Sequence, residues 1–365
     1  MRPSVKYPLL TLLWAAVAAY VVWATGATQA NRTVRKVDEL HIDIVDSTSQ
    51  GHLVTSAEIR KWLAAERIEL LGQTADSVDL TAVEQLIARN GFVEKVAAYV
   101  TRNGVLHIDI RQRKPLLRLL TDGENAYVTP TGFIFAAPRA SSLYVPVVTG
   151  PYRPPFPVGH MGEIRRHTDN ELQRIEQEIE RLEEEKLPIH HAERADNRAY
   201  NDFRRRRVKS WWKYLETEAE YDARVGRLRA EKQQARRAYR YRVRQRRQQL
   251  DRIGTEQDRL RAQQKKLEKS YEDFVKLLTF VKLVEKDDFW SAEVVQIIAR
   301  TAASGALEIE LIPRSGRHII RFGRLERMEE KLDKLLRFYR KGLSHIGWER
   351  CRVIDIRYTD QVVCR

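Results

Sequence analysis

An α+β fold carried on a single N-terminal transmembrane helix, with a β-rich domain split by a long helical insertion, is the architecture this sequence predicts. Three observations carry that reading. The run from Tyr7 to Asn31 holds no charged residue and centres on LLTLLWAAVAAYVVWA. Residues 36–113, 114–162 and 271–365 mix helical and two-residue periodicities with turn signals between them. Residues 163–270 have few β-branched residues, abundant Arg, Glu and Gln, and almost no turn signals.

About twenty mostly apolar residues cross the hydrocarbon core of a bilayer as a helix. No second such run follows Asn31. A cleavable signal peptide has an apolar core of about 7–15 residues. The run here is longer, and Trp14, Tyr20 and Trp23 resemble the interfacial aromatics of a retained span. Residues 7–30 are therefore expected to form a membrane helix behind a short tail, 1–6. Arg2 and Lys6 precede it and Arg32, Arg35 and Lys36 follow it, so charge alone leaves orientation open.

Charged residues make up 32% of the chain and the net charge is +15; the mean hydropathy is −0.51. That is too polar for one compact core, and much of the charge must lie on a solvated element. The segment 163–270 alone carries +9 of the total. A basic surface favours acidic partners: anionic lipid, an acidic envelope polymer or nucleic acid. Nucleic acid drops out if the bulk of the chain lies outside the cytoplasm.

Residues 36–113 read as strand, helix, helix, strand, strand. Leu40, Ile42 and Ile44 alternate with His41 and Asp43, as in a half-buried strand. Thr55 with Glu58, and Thr81 with Glu84, form capping boxes that predict helix starts. Asn103-Gly104 predicts a hairpin between Val96–Thr101 and Val105–Gln112, whose Leu106, Ile108 and Ile110 point inward.

In the next part, 114–162, Tyr127–Phe135 reads as strand, turn, strand, and Leu143–Gly150 precedes a loop with four prolines. The same style resumes in 271–365. A helix through Leu277, Leu278 and Val281 is followed by strands near Val294–Ile298, Leu307–Ile312 and His318–Phe322. Leu325, Met328, Leu332, Leu335 and Tyr339 step by three and four as an amphipathic helix. Alternating Ile354, Ile356 and Tyr358 predict one final strand. In the insertion, Leu172, Ile175, Ile179 and Leu182 take a/d spacing, and Ile253, Leu260, Leu267, Phe274 and Val281 recur every seven residues. A coiled-coil-like hairpin is expected there, with Pro188 interrupting or restarting its first arm.

Cys351 and Cys364 could pair in an oxidising compartment. If Val353 to Val363 is one continuous strand, a rise of about 3.3 Å per residue sets them roughly 43 Å apart. The expectation is then two separate buried or edge thiols.

In order, these segments resemble the FtsQ/DivIB family of bacterial cell-division proteins, in a Bacteroidetes-like form with an added helical insertion. Residues 36–113 look like its POTRA domain. The resemblance rests on Gly91-Phe-Val-Glu-Lys95, Ile110-Arg-Gln-Arg-Lys-Pro115, Tyr127-Val-Thr-Pro-Thr-Gly132 and Pro146-Val-Val-Thr-Gly150. It continues in Asp287-Asp-Phe-Trp290, Ile312-Pro-Arg-Ser-Gly316, Ile320-Arg-Phe-Gly323, Tyr339 and Ile354-Asp-Ile-Arg-Tyr358. No single motif is diagnostic; their order is. What it implies is a non-enzymatic bitopic scaffold linking early and late division proteins, with the N terminus cytoplasmic, the bulk periplasmic and the protein at the septum of the inner membrane. It further implies that small bitopic coiled-coil proteins of the FtsB/DivIC and FtsL type dock on the last β strands. By position the contacts are Arg357, Tyr358, Thr359, Asp360, Gln361, Val362 and Val363. The strand edge near Leu40–Ile44 is a weaker candidate for a further division protein. A POTRA-bearing envelope assembly or transport tether is the alternative, and a peptidoglycan-acting enzyme the next.

For the enzyme reading, Ser210-Trp-Trp-Lys213 matches S-x-x-K, but the S-D-N and K-T-G partners of that chemistry are absent. His190-His191 with Glu193 and Asp196 offers metal-ligand types, yet adjacent residues on a helix point about 100° apart. No catalytic residue, cofactor or metal is assigned. Arg204–Arg207 beside Trp211-Trp212 combines charge with interfacial aromatics, although a charge run on a long helix is more often a solvated face.

Overall fold

The computed structural model describes residues 6–30, 36–45, 53–121, 123–137, 143–208, 216–315, 317–343, 345, 347 and 350–365, the side chains of 6–12 and 27–30 excepted. Helix α1 is Lys6–Ala30. Among the described residues no helix is long and apolar enough to cross a membrane. The described side chains of α1 are those of 13–26. Arg2, Arg32 and Arg35 lie outside the described residues. Within that stretch Leu13, Trp14, Tyr20, Val22 and Trp23 are exposed.

The first module contains β1 (Glu39–Ile44), α2 (Ser56–Ala65), α3 (Leu80–Ala88), β2 (Val93–Val100) and β3 (Val105–Gln112). Its sheet runs β1, β3, β2, with β1 parallel to β3 and β2 antiparallel to it. The expected capping box starts α2: Glu58 N–H donates to Thr55 Oγ1, and Thr55 N–H to Glu58 Oε2. The second capping box does not form. Asp79 caps α3, its Oδ1 accepting from Ala82 N–H, while Glu84 instead accepts from Ala98 N–H across to β2 at 2.8 Å. Leu106, Ile108 and Ile110 are fully buried with Ile59, Leu63, Val83 and Ile87.

Gln112 ends β3 inside this core. Its Oε1 accepts from both Leu53 N–H (2.7 Å) and Val54 N–H (3.1 Å). Gln112→Ala orphans two buried donors and is expected to cost about 2–4 kcal/mol, read as a lowered urea midpoint, whereas Gln112→Glu retains the acceptor.

The second sheet has ten strands in the order β13, β12, β11, β10, β9, β7, β4, β5, β6, β8. Its N-terminal half supplies β4 (Leu117–Thr121), β5 (Glu124–Val128), β6 (Phe133–Ala136), β7 (Val147–Thr149) and β8 (Gly162–Glu163). Its C-terminal half supplies β9 (Val294–Thr301), β10 (Leu307–Pro313), β11 (Ile319–Arg324), β12 (Val353–Asp355) and β13 (Val363–Cys364). Strand β4, not expected from sequence, alternates buried Leu117 and Leu119 with Arg118 and Leu120. The halves join where β7 pairs parallel with β9, Val147 to Thr149 against Gln296 to Ile298. Helices α6 (Asp288–Glu293) and α7 (Met328–Arg337) belong to the same half, α7 passing into a π-helical turn at Phe338–Leu343.

The motif residues at the junction pack together. Tyr127, Phe135 and Leu143 belong to the same apolar cluster as the first module's core. Phe92 meets Phe135 edge to face with centroids 5.8 Å apart, and the Arg113 guanidinium lies 3.5 Å from the Phe133 ring centre while donating to Gly91 O.

The final single strand expected from sequence is replaced by two short strands. After β12 the chain leaves the sheet at 356–362 and returns as β13, antiparallel to β12, with Ile354 opposite Cys364 and Asp355 opposite Val363. Ile354 and Ile356 are buried as the pattern implied, but Tyr358 is exposed in the return. The cysteine expectation falls with it. Cys351 and Cys364 form a disulfide, their Cα atoms 5.3 Å apart, because the reversal brings together ends that a straight strand would separate.

A separate compact unit comprises residues 154–156 and 164–275. It holds α4 (Ile164–Arg205) and most of α5 (Glu218–Lys286), and α5 passes residue 270 without a break. The helices run antiparallel. Lys186 reaches Gln257, Asp196 takes Arg242 and Arg246, the rings of Tyr200 and Tyr239 stack at 4.4 Å, and Lys232 donates to the carbonyls of Arg204 and Arg206. Pro188 does not break α4. It lies on the exposed side, where the carbonyl it deprives of a donor can be satisfied by water.

Candidate partner-binding edge

Strand β13 terminates the ten-stranded sheet, and among the described residues it borders only β12. Val353 and Arg365 exchange both backbone hydrogen bonds. In an antiparallel ladder the neighbouring pair, Ile354 and Cys364, is then a non-hydrogen-bonded one, and the N–H and C=O of Cys364 turn to the open side. The disulfide pins this two-residue strand, which otherwise has little pairing of its own.

The return that carries the seven sequence-predicted contacts is held from below. Arg357 folds back on Asp355: Nε donates to Oδ1 at 2.9 Å and an η-nitrogen to Oδ2 at 2.6 Å. Burial alone would raise the Asp355 carboxyl, but the Arg357 hydrogen bonds and charge outweigh it and hold the group below its usual range. Gly323 of β11 makes room for this arm. Its φ is +74°, and a Cβ there would stand 2.7 Å from Arg357 Cγ. The final glycine of Ile320-Arg-Phe-Gly323 thus has a local physical role.

Helix α7 supplies the second hold. Lys334 Nζ donates to Ile356 O (3.1 Å), to Tyr358 O and to Thr359 O (3.4 Å), and Arg327 reaches Thr359 Oγ1. Lys334 and Arg327 carry no sequence signal of this role. Nothing in the helix periodicity marks them, because their partners are backbone and hydroxyl oxygens 22 to 32 residues on. Of the seven, Tyr358, Thr359, Asp360 and Gln361 are exposed, as is Arg357, while Val362 and Val363 are half-buried. The structure therefore brings them into one turn and edge, not along one extended strand.

Lys331 lies under the same helix, 8% exposed, its ammonium donating to Phe322 O and Arg324 O. Burial pushes its pKa down from 10.5 to about 8. Between those values the unfolded lysine still holds a proton that the folded one has released, so stability rises with pH across the window. Relative to Lys331→Met, the wild type is expected to gain stability from pH 8 to 10.5 by up to about 1.4 kcal/mol per pH unit, measured by urea unfolding at each pH.

Ser210, Trp211, Trp212 and Lys213 lie outside the described residues. His190 pairs with Glu193 at 3.7 Å on the surface of α4, and Asp196 is taken up by two arginines. Among the described residues no group of His, Cys, Asp or Glu could hold a metal ion.

These features define a class: a small strand-helix-helix-strand-strand module followed by a mixed β module that ends on an open, disulfide-pinned edge. Residues 35–111 match the family model for a POTRA-like domain, and residues 257–365 match that described as FtsQ/DivIB, C-terminal related. Together these matches support an FtsQ/DivIB-family protein. That family suggests a role in cell division, at a division-site membrane, among other division proteins. No curated protein matches the chain.

Proposed function

We propose that this protein is a non-enzymatic bitopic scaffold of the bacterial division machinery. Residues 7–30 anchor it in the inner membrane with the N terminus inside, and its bulk lies in the periplasm at the septum. It joins early and late division proteins by receiving small bitopic coiled-coil partners of the FtsB/DivIC and FtsL type on residues 357–363. The observation that carries this reading is the open edge of β13 beside an exposed turn. An incoming strand can extend the ladder through Cys364, with Tyr358 and Gln361 available for side-chain selection. A periplasmic location also supplies the oxidising conditions that the Cys351–Cys364 bond requires.

The test is photo-crosslinking in cells from Tyr358 and from Gln361. Capture of a small bitopic coiled-coil protein at midcell is expected. Recovery of none, with normal division after deletion of residues 354–365, would remove the proposal. The envelope-tether reading draws on a groove in the first module between the β1 edge and α2, lined by Leu40, Arg60, Leu63, Ala64, Ile68 and Leu71. It predicts instead that crosslinkers along β1 capture an outer-membrane barrel or its substrate chain.

A further inference from the structure

One side of the helical hairpin carries a row of exposed arginines from each helix. On α5, Arg229, Arg236, Arg240, Arg244 and Arg247 are all exposed, and each directly follows a half-buried residue of the helix–helix seam, at 228, 235, 239, 243 and 246. On α4, exposed Arg194 and Arg198 likewise follow seam residues 193 and 197. One step along a helix turns a side chain by about 100° in a fixed sense. Because the two helices run in opposite directions, that step carries both sets to the same side of the hairpin.

Within the span of these rows the carboxylates lie elsewhere, while Asp222 and Asp251, which follow half-buried Tyr221 and Leu250, bound the α5 row at its two ends. Glu193 pairs with His190, and Asp196 sits in the seam against Arg242 and Arg246. Asp202 points away from the seam on the outer side, and the helical positions place Glu231 toward the opposite face. None of the seven arginines forms an ion pair with a described residue. The α5 row extends roughly 27 Å at 1.5 Å per residue, and the α4 row lies beside it at an interhelical spacing of about 8–10 Å.

We propose that this face docks on an anionic phospholipid surface. Guanidinium groups stay charged at any physiological pH and chelate phosphate through two N–H donors. Two parallel rows spread over the width of two helices match a planar array of headgroups, whereas one linear polyanion would engage a single row. Basic clusters of this size bind anionic leaflets through additive contributions from each residue, lost at high salt.

The full chain is reconstituted through α1 into phosphatidylcholine vesicles and offered fluorescent vesicles of either phosphatidylcholine or a phosphatidylglycerol-rich mixture. The anionic vesicles are expected to be recruited at least about tenfold over the neutral ones at low salt. Arg240→Glu with Arg244→Glu should abolish the difference. Arg227→Glu with Arg252→Glu, an equal charge change at exposed α5 positions off this face, should leave at least half of it. Arg240→Gln with Arg244→Gln, which retains helix propensity, should lower recruitment with unchanged helical circular dichroism. Equal loss in both reversal pairs, no recruitment of anionic vesicles, or capture of inorganic polyphosphate without vesicle recruitment would each overturn the proposal.

Discussion

Cys364→Ser is expected to release the last strand and, with it, the partner proposed to dock there. The bond closes a loop of thirteen residues' separation, for which chain entropy supplies about 3 kcal/mol. The strand it holds is only Val363–Cys364, paired to the three residues of β12, so little else opposes local opening. Amide exchange at Val353 and Arg365, whose mutual hydrogen bonds close the ladder, should rise well before the rest of the sheet opens. Crosslinking from Gln361 should fall at least about tenfold, the equivalent of 1.4 kcal/mol. Tyr358→Ala separates stability from recognition. The side chain is 43% exposed, so its loss should leave exchange at Val353 unchanged while still weakening capture. Unchanged exchange and capture in Cys364→Ser would show that neither depends on the bond.

Gly150→Ala is the second substitution with a large expected effect. Gly150 takes φ +103°, and a Cβ there would stand 2.4 Å from the carbonyl oxygen of Ala299 and 3.1 Å from Ile298 Cγ2. The first obstacle is backbone of β9, so no side-chain rotation relieves it. Strain at such a φ costs about 1–3 kcal/mol for a non-glycine residue, and the clash adds to that. The site also lies where β7 and β9 join the two halves of the β module, next to the hydrogen bond from Gln296 to Thr149. The expected result is a loss of more than about 3 kcal/mol, with a new protease-sensitive site near residue 150. Thr149→Val removes the side-chain hydrogen bond while keeping the branched shape and should cost about 1 kcal/mol. Together they distinguish backbone approach from side-chain bonding as the reason for the terminal glycine of Pro146-Val-Val-Thr-Gly150.

The elements that sequence predicted well are those whose signals are local. The Thr55–Glu58 box, the Asn103-Gly104 turn and the alternation at Leu106, Ile108 and Ile110 are each settled within a few residues, and each appears in place. Where a local signal competed with a distant partner, the distant one prevailed. Glu84 left the Thr81 box because Ala98 N–H on β2 needed an acceptor, and Asp79 capped α3 instead. Strand β4 is not marked locally, because Leu116-Leu117-Arg-Leu-Leu120 follows Pro115 and reads as a generic apolar run. Its period is visible only once β5 and β7 flank it. Pro188 by itself predicts an interruption or restart of the arm, but its position on the exposed side of α4 makes the missing donor tolerable.

The sequence by itself indicated the helices now seen at Ile164–Arg205 and Glu218–Lys286, because helical periodicity acts over short separations, and the order of its motifs carried the resemblance to the family. It also marked residues 357–363. Only the tertiary structure decided their form. The pairing of Val353 with Arg365, the Cys351–Cys364 bond, the seat that Gly323 gives Arg357 and the reach of Lys334 to the carbonyls of 356–359 fold those residues into a turn and a sheet edge. Each of those contacts spans from a dozen to more than thirty residues, a range at which the energy depends on how the chain closes and no local pattern records it.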